Sequence, residues 1–157
     1  MIKNNNKGLV FILAFRASSA FTKSGFLRII GLPVRLCYKV IIQWILGIDV
    51  PDTTSIGQNF NVYHGMGLVI HSDVLIGDNV TVRHNTTIGN AREDGGCPRI
   101  GNNINIGANS VIIGDIQIGD NAVIAAGSVV IRDVPASVVV AGNPATVVKY
   151  LKHYEKV

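Results

Sequence analysis

The sequence predicts a mainly β protein, a parallel β-helix of six-residue repeats behind an N-terminal helical extension. Aliphatic residues recur every six positions at Ile70, Ile76, Val82 and Ile88, and in the same phase at Ile100, Ile106, Ile112, Ile118, Ile124 and Val130. Glycines share the period, because Gly57, Gly77, Gly89, Gly101, Gly107 and Gly119 each follow an isoleucine lead. Before Asp49 the repeat is absent and the apolar spacing is helical.

A six-residue period cannot be an amphipathic helix, whose stripe recurs at 3.6, and turn residues recurring with it exclude simple strand alternation. Short strands with a corner every six residues fit. Three sides close a triangular coil of 18 residues, and coils stack at the inter-strand spacing of about 4.8 Å. The glycines are expected to free the backbone at the corners. Val74, Val80, Thr86, Ser110, Ala122 and Ser128, four after a lead, are expected to share the interior. Ile56, Val62 and Leu68 keep the spacing two residues out of phase, which places a two-residue insertion at His64-Gly65-Met66-Gly67. From Asn90 to Arg99 polar, glycine-rich sequence replaces two hexads and reads as an extruded loop, a place where function concentrates.

Gly8 to Gly47 reads as helices broken at Gly31-Leu32-Pro33, where proline ends one segment and opens the next. In the second helix, Val34 to Leu46, Arg35, Lys39 and Gln43 form one narrow polar stripe, while Leu36, Val40, Ile41, Trp44 and Ile45 cover most of the rest. So wide an apolar face must be buried, against the body or a sister subunit, or by shallow contact of residues 8–46 with the inner face of a membrane. Arg16, Lys23, Arg28, Arg35 and Lys39 leave no run able to span a bilayer. Lys3 and Lys7 before the apolar run Gly8 to Phe15, with Ala17-Ser18-Ser19-Ala20 after it, imitate a secretory leader, but Arg16 breaks the pattern.

At 157 residues the chain is one domain, divided as a helical segment 1–48, a repeat domain 49–148 with its loop at 90–99, and a tail or short helix 149–157. Hydrophobic residues make up 48% and charged residues 15%, which excludes disorder and favours oligomerisation. The net charge of +4 suits anionic ligands, but the basic residues form no stripe of the kind nucleic acid requires. Cys37 and Cys97 lie far apart without metal-ligand spacing to the histidines, so neither disulfide nor metal is expected.

Three stretches carry a resemblance: Val62-Tyr63-His64-Gly65 with Gly67-Leu68-Val69-Ile70, then Val80 to Asn90, then Ala126-Gly127-Ser128-Val129-Val130 leading to Ala141-Gly142-Asn143-Pro144-Ala145. Over roughly Asp49 to Lys149 the chain resembles the left-handed hexapeptide-repeat acyltransferases, nearest the serine acetyltransferases and their exopolysaccharide O-acetyltransferase relatives. The resemblance implies left-handed coils, a homotrimer with active sites between neighbouring subunits, a cytoplasmic setting and acetyl-CoA as donor. It also implies His64 as general base on the acceptor hydroxyl, with Asp49, fifteen residues earlier, fixing the ring tautomer. An imidazole titrates where it can take that proton.

His84 sits two residues after its lead, as His64 does. Their separation equals one coil plus the insertion, so His84 should stack over His64 in one cleft, as a contact to the acceptor sugar or the thioester rather than as the base. Matching the family's cofactor wall points to Gly89, Ala108 and Ala126, with Gly127, Pro144 and Lys149 as further contacts, the last beside the nucleotide phosphates. Serine acetyltransferases hold their substrate's charges with an aspartate and an Arg-His pair, but the corresponding positions here are Tyr63, Gly96 and Cys97. A sugar needs no ionic partners, and the Gly95-Gly96-Cys97-Pro98 loop resembles the colanic-acid-type branch. The expected acceptor is therefore a hydroxyl of a sugar or lipid-linked glycan, with Tyr63 and Cys97 at its site. Serine O-acetylation is the alternative within the same chemistry, and a silent solenoid acting as an interaction module is the alternative outside it.

Overall fold

The computed structural model describes residues 6–151. Helix α1 (Asn6–Ser19) is followed by α2 (Gly25–Ile30) and α3 (Leu32–Tyr38), which runs on as a π-helical segment, Lys39–Ile45. The expected break falls at Gly31, and a second, between α1 and α2, was not legible. Ser24 caps α2 by accepting from the Leu27 N–H.

From Ile48 the chain winds into three parallel sheets. The first stacks β1 (Ile48–Asp49), β4 (Leu68–Ile70), β7 (Thr87–Gly89), β10 (Val111–Ile113) and β13 (Val129–Val130). The second stacks β2 (Ser55–Ile56), β5 (Leu75–Ile76), β8 (Arg99–Ile100) and β11 (Gln117–Ile118). The third stacks β3 (Asn61–Tyr63), β6 (Thr81–Arg83), β9 (Asn105–Ile106), β12 (Val123–Ile124) and β14 (Val138–Gly142), and β15 (Ala145–Tyr150) closes it antiparallel. Lys149 therefore lies in a strand, not in the tail or helix expected from residue 149; residues 152–157 lie outside the described part.

Every six-residue lead from Ile70 to Val130 is buried, as are the six residues expected beside them. The hydroxyls among these six donate to carbonyls: Thr86 Oγ1 to Gly107 O at 3.3 Å, Ser110 Oγ to the same oxygen at 2.9 Å and Ser128 Oγ to Ala125 O at 2.7 Å. Val62 pairs with Val82 and Ile70 with Ile88, so the two-residue insertion sits where the spacing placed it. The loop departs from expectation in one respect. It lies at a single corner, between β7 and β8, and the twelve residues from Ile88 to Ile100 replace the six from Ile70 to Ile76. It therefore adds six residues.

The corners are built differently from the expectation. The glycines after the leads do not occupy the left-handed region; asparagines three after a lead do, from Asn59 (φ 53°) and Asn79 (φ 57°) to Asn103 (φ 58°) and Asn121 (φ 60°). Their amides form a ladder, each Nδ2 donating to the next Oδ1 at 3.0, 3.1 and 3.2 Å. Glycine is needed for closeness instead: a Cβ on Gly107 would collide with the Ala126 backbone nitrogen, and one on Gly57 with Gly77.

The helices sit on the first coil. Phe11 and Phe15 are buried, Phe11 edge-on to Phe60 at 6.4 Å and Phe15 edge-on to Tyr38 at 6.3 Å. Arg16 reaches the carbonyls of Ile56 and Gly57. Arg35 grips Asp52 with two hydrogen bonds, 2.7 Å from Nε and 3.1 Å from a terminal nitrogen, and Ser18 Oγ donates to the same carboxylate at 2.6 Å. The buried Tyr38 hydroxyl donates to Val50 O at 2.7 Å. These bonds turn the polar stripe toward the coil, so the wide apolar face expected to be buried points away from it. Tyr38 and Ile42 are buried, while Leu36, Trp44 and Ile45 are exposed within the single chain.

Candidate active site

His64 sits in the inserted corner after β3 in a left-handed conformation (φ 68°), followed by Gly65 at φ 59° and Gly67 at φ 69°. The insertion swings the imidazole outward while Gly65 packs under Ile48, where a Cβ would meet that side chain. His84 occupies the corresponding position one coil on. The two rings lie 6.0 Å apart at 76°, as the 20-residue separation requires. His64, His84, Met66, Asn85 and Lys7 line a hollow of about 310 Å³. The His84 Nδ1 is buried without a hydrogen-bond partner. Lys7, brought from α1, was not anticipated, and nothing local in the sequence marks it.

The register of the third sheet continues this column upward. Val82 lies one coil from Val62, and Val123 and Ile124 pair with Asn105 and Ile106, so Ala108 and Ala126 succeed His64 and His84 at the same corner. Ala126 and Gly127 are exposed, and a Cβ on Gly127 (φ 72°) would meet nothing within 4 Å. A strip of small residues with accessible backbone thus leads away from the histidines. Pro144 lies in the turn between β14 and β15, and Lys149, opposite Val139, is exposed on the last strand.

A second hollow, of about 340 Å³, lies along the other edge of the first sheet and is lined by Asp49, His71, Ser72, Thr87, Gly89 and Asn90 among others. It shares no lining residue with the histidine hollow. Asp49 and His64 line different hollows of the single chain, and no hydrogen bond joins them. His71, which sequence reasoning passed over, stands in the column of Gly89, and its Cβ is 3.3 Å from where a Gly89 Cβ would be. Its signal was available: it follows the lead Ile70 at a position that six other sides give to glycine.

Cys97, from the loop, has its Sγ 3.3 Å from His71 Nδ1, which also accepts from the Asp73 N–H at 3.2 Å. With that nitrogen accepting, the thiol is the donor. Burial pushes the Cys97 thiol up, and the charges of Asp73 and Asp115 push it further, so it stays protonated. Tyr63 is exposed, with the Arg83 guanidinium 5.8 Å from its ring centroid. Arg83 is itself held by Asn105 Oδ1 at 2.5 Å and Ile106 O at 3.0 Å.

Comparison with known proteins agrees with this geometry. Residues 97–132 match the family described as bacterial transferase hexapeptide (six repeats). The chain is 38% identical over 141 residues to a putative colanic acid biosynthesis acetyltransferase of Escherichia coli, covering 87% of each, and 34% identical over 147 residues to a serine acetyltransferase of Arabidopsis thaliana, of which it covers 40%. Among solved structures it overlays the Brucella abortus serine acetyltransferase in complex with coenzyme A, with a TM-score of 0.80 and 31% identity, covering 93% of this chain and 57% of that one. It thus spans just over half the length of the solved enzymes it matches. Those neighbours are left-handed β-helices, so these coils wind left-handedly, against the crossover rule of ordinary parallel sheets. The outward corner histidines, the strip of small residues above them and these likenesses together make the chain a member of the hexapeptide-repeat transferases, on their acetyltransferase branch.

Proposed function

We propose that the protein moves an acetyl group from acetyl-CoA to a hydroxyl of a sugar or lipid-linked glycan. The observation that carries the acceptor class is electrostatic. Where serine acetyltransferases are expected to hold a carboxylate with an Arg-His pair, this chain has Gly96 and a protonated Cys97 facing the negative charges of Asp73 and Asp115. A substrate carboxylate would find no Arg-His pair there, the nearby Arg99 being 3.6 Å from Asp115, and lost charge-assisted hydrogen bonds are worth about 1.5–3 kcal/mol each. Tyr63 offers a ring face and a hydroxyl suited to a sugar.

When bound, acetyl-CoA supplies an acetyl thioester. Ala108, Ala126 and Gly127 would let its extended arm lie against backbone, Gly89 would admit it at the neighbouring edge, and Pro144 and Lys149 would stand near its nucleotide end. From β6 to β15 there are four inter-strand steps of about 4.8 Å, close to 19 Å, enough for an extended chain to link Lys149 with the histidines. His64 takes the acceptor hydroxyl proton on a ring nitrogen as that oxygen attacks, then returns it to the departing sulfur. Asp49 fixes the tautomer and offsets the positive ring; that bond is not made in the single chain, and we assign it to the assembled, substrate-bound state. His84 is a positioning residue. A buried N–H without an acceptor costs more than a buried lone pair, which puts the His84 proton on the other ring nitrogen and makes it a donor rather than a base.

The assembly we assign is a homotrimer with active sites between copies. Two hollows with no lining residue in common, and outward-facing Val69 and Leu75 left exposed on the coil, support it. The setting is cytoplasmic, with residues 8–46 as the part able to meet the inner face of a membrane. Thiol release from acetyl-CoA tests the reading with a panel of sugar, nucleotide-sugar and lipid-linked acceptors beside L-serine. A glycan acceptor should saturate with ordinary turnover. Saturation by serine in the micromolar to millimolar range would overturn the acceptor class.

A further inference from the structure

We propose that the helical layer of residues 6–46 docks on an anionic lipid bilayer without crossing it. The surface is inside out for a protein in water. Trp44 is 75% exposed, Phe26 73% and Ile45 70%, with Ile29, Leu36 and Leu13 close behind. Scattered exposed apolar residues are ordinary, but this concentration in one layer is an interaction surface. An apolar groove of about 240 Å³ runs between α1 and the α3–π-helix unit, lined by Val10, Ala14, Val34 and Ile41 among others.

Charge identifies the occupant. All ten acidic residues of the chain lie from Asp49 onward, whereas seven of the fourteen lysines and arginines precede it. Arg16 and Arg35 are engaged with the coil, Lys39 lies on the coil-facing stripe and Lys7 beside the histidines, while Lys23 and Arg28 are exposed among the apolar residues of the layer. Large apolar side chains interleaved with unopposed cations match an anionic headgroup layer, where each Lys or Arg near the surface contributes about 1 kcal/mol. The same layer on a second copy is a poor match, because a two-fold contact would set this cationic patch against itself. Among the described residues no helix is long and apolar enough to cross a membrane, which leaves binding in the interfacial plane.

The inference is independent of the acceptor, and flotation has no catalytic readout. Full-length protein is floated with vesicles of equal parts phosphatidylcholine and phosphatidylglycerol, and with phosphatidylcholine alone. Binding should be at least about tenfold stronger to the anionic vesicles. The double variants Trp44→Asp with Ile45→Asp, and Lys23→Glu with Arg28→Glu, should each lose more than about tenfold of that binding. All four side chains are exposed, so thiol-release activity should stay at wild-type level, and the unfolding midpoint should move only by the one hydrogen bond that Arg28 gives to the Thr22 carbonyl. Two results would overturn the proposal: no flotation with either vesicle, or unchanged flotation of Trp44→Asp with Ile45→Asp accompanied by a smaller oligomer in light scattering. The second would give the face to another copy of the chain.

Discussion

The imidazole rings of His64 and His84 meet edge to face, centroids 6.0 Å apart, because the corner insertion makes their 20-residue separation one turn of the coil. Two histidines so close invite confusion of roles. Their environments differ: His64 is exposed in a left-handed turn, while one nitrogen of His84 is buried without a partner.

His64→Ala should therefore lower turnover by roughly 10² to 10⁴, the usual worth of a general base, with acetyl-CoA binding nearly unchanged. His84→Ala should raise the acceptor KM more than it lowers turnover, and Asp49→Asn should cost less than loss of the base. Steady-state kinetics of all three with one acceptor decide the matter; loss of turnover in His84→Ala with His64→Ala within a few-fold of wild type would reverse the roles.

The separate hollows of His64 and Gly89 predict complementation. His64→Ala and Gly89→Trp should each be nearly inactive alone, yet trimers assembled from a mixture should regain a fraction of wild-type activity, since some interfaces then join an intact His64 to an intact Gly89. Mixed trimers as inactive as their parents would place the whole site within one chain.

The contact between Cys97 Sγ and His71 Nδ1, with Asp73 and Asp115 nearby, predicts an unreactive thiol. Near pH ~7.5, iodoacetamide should modify the exposed Cys37 well before Cys97, and Asp115→Asn should speed alkylation of Cys97 by removing one charge that raises its pKa. Mass spectrometry of timed samples reads both rates. Faster alkylation of Cys97 than of Cys37 in the wild type would contradict the assignment.

The Arg35 and Ser18 bonds to Asp52 carry a pH signature. Burial works to raise the Asp52 carboxyl, but the hydrogen bonds and charge of its partners together hold it below the usual carboxylate range. A depressed folded-state pKa stabilises at pH above the unfolded value near ~3.9, and that stability is lost as the pH falls through the folded value. Asp52→Asn should cost about 2–3 kcal/mol at neutral pH, read from denaturant unfolding, and the gap from wild type should close in acid. A gap that persists at all pH values would assign the loss to packing.

By itself the sequence determined the coil. Its six-residue period, the two-residue insertion at His64 and the stacking of His84 were all legible because a β-helix turns linear spacing directly into position, so counting residues locates side chains. Other features depended on groups far apart in the chain. Asparagine took the corner duty expected of glycine, and glycine was needed for closeness instead, because the approach of the next coil, invisible in a local window, decides where a Cβ fits. His71 acquired its partner only when the loop carried Cys97 back over β4. Asp49 and His64, fifteen residues apart, line different hollows because one lies on a strand of the first sheet and the other in the corner that leads into it. The N-terminal helices show the limit most clearly: their periodicity announced a wide apolar face, but the bonds of Arg16, Ser18, Arg35 and Tyr38 to the first coil decided that this face would turn outward.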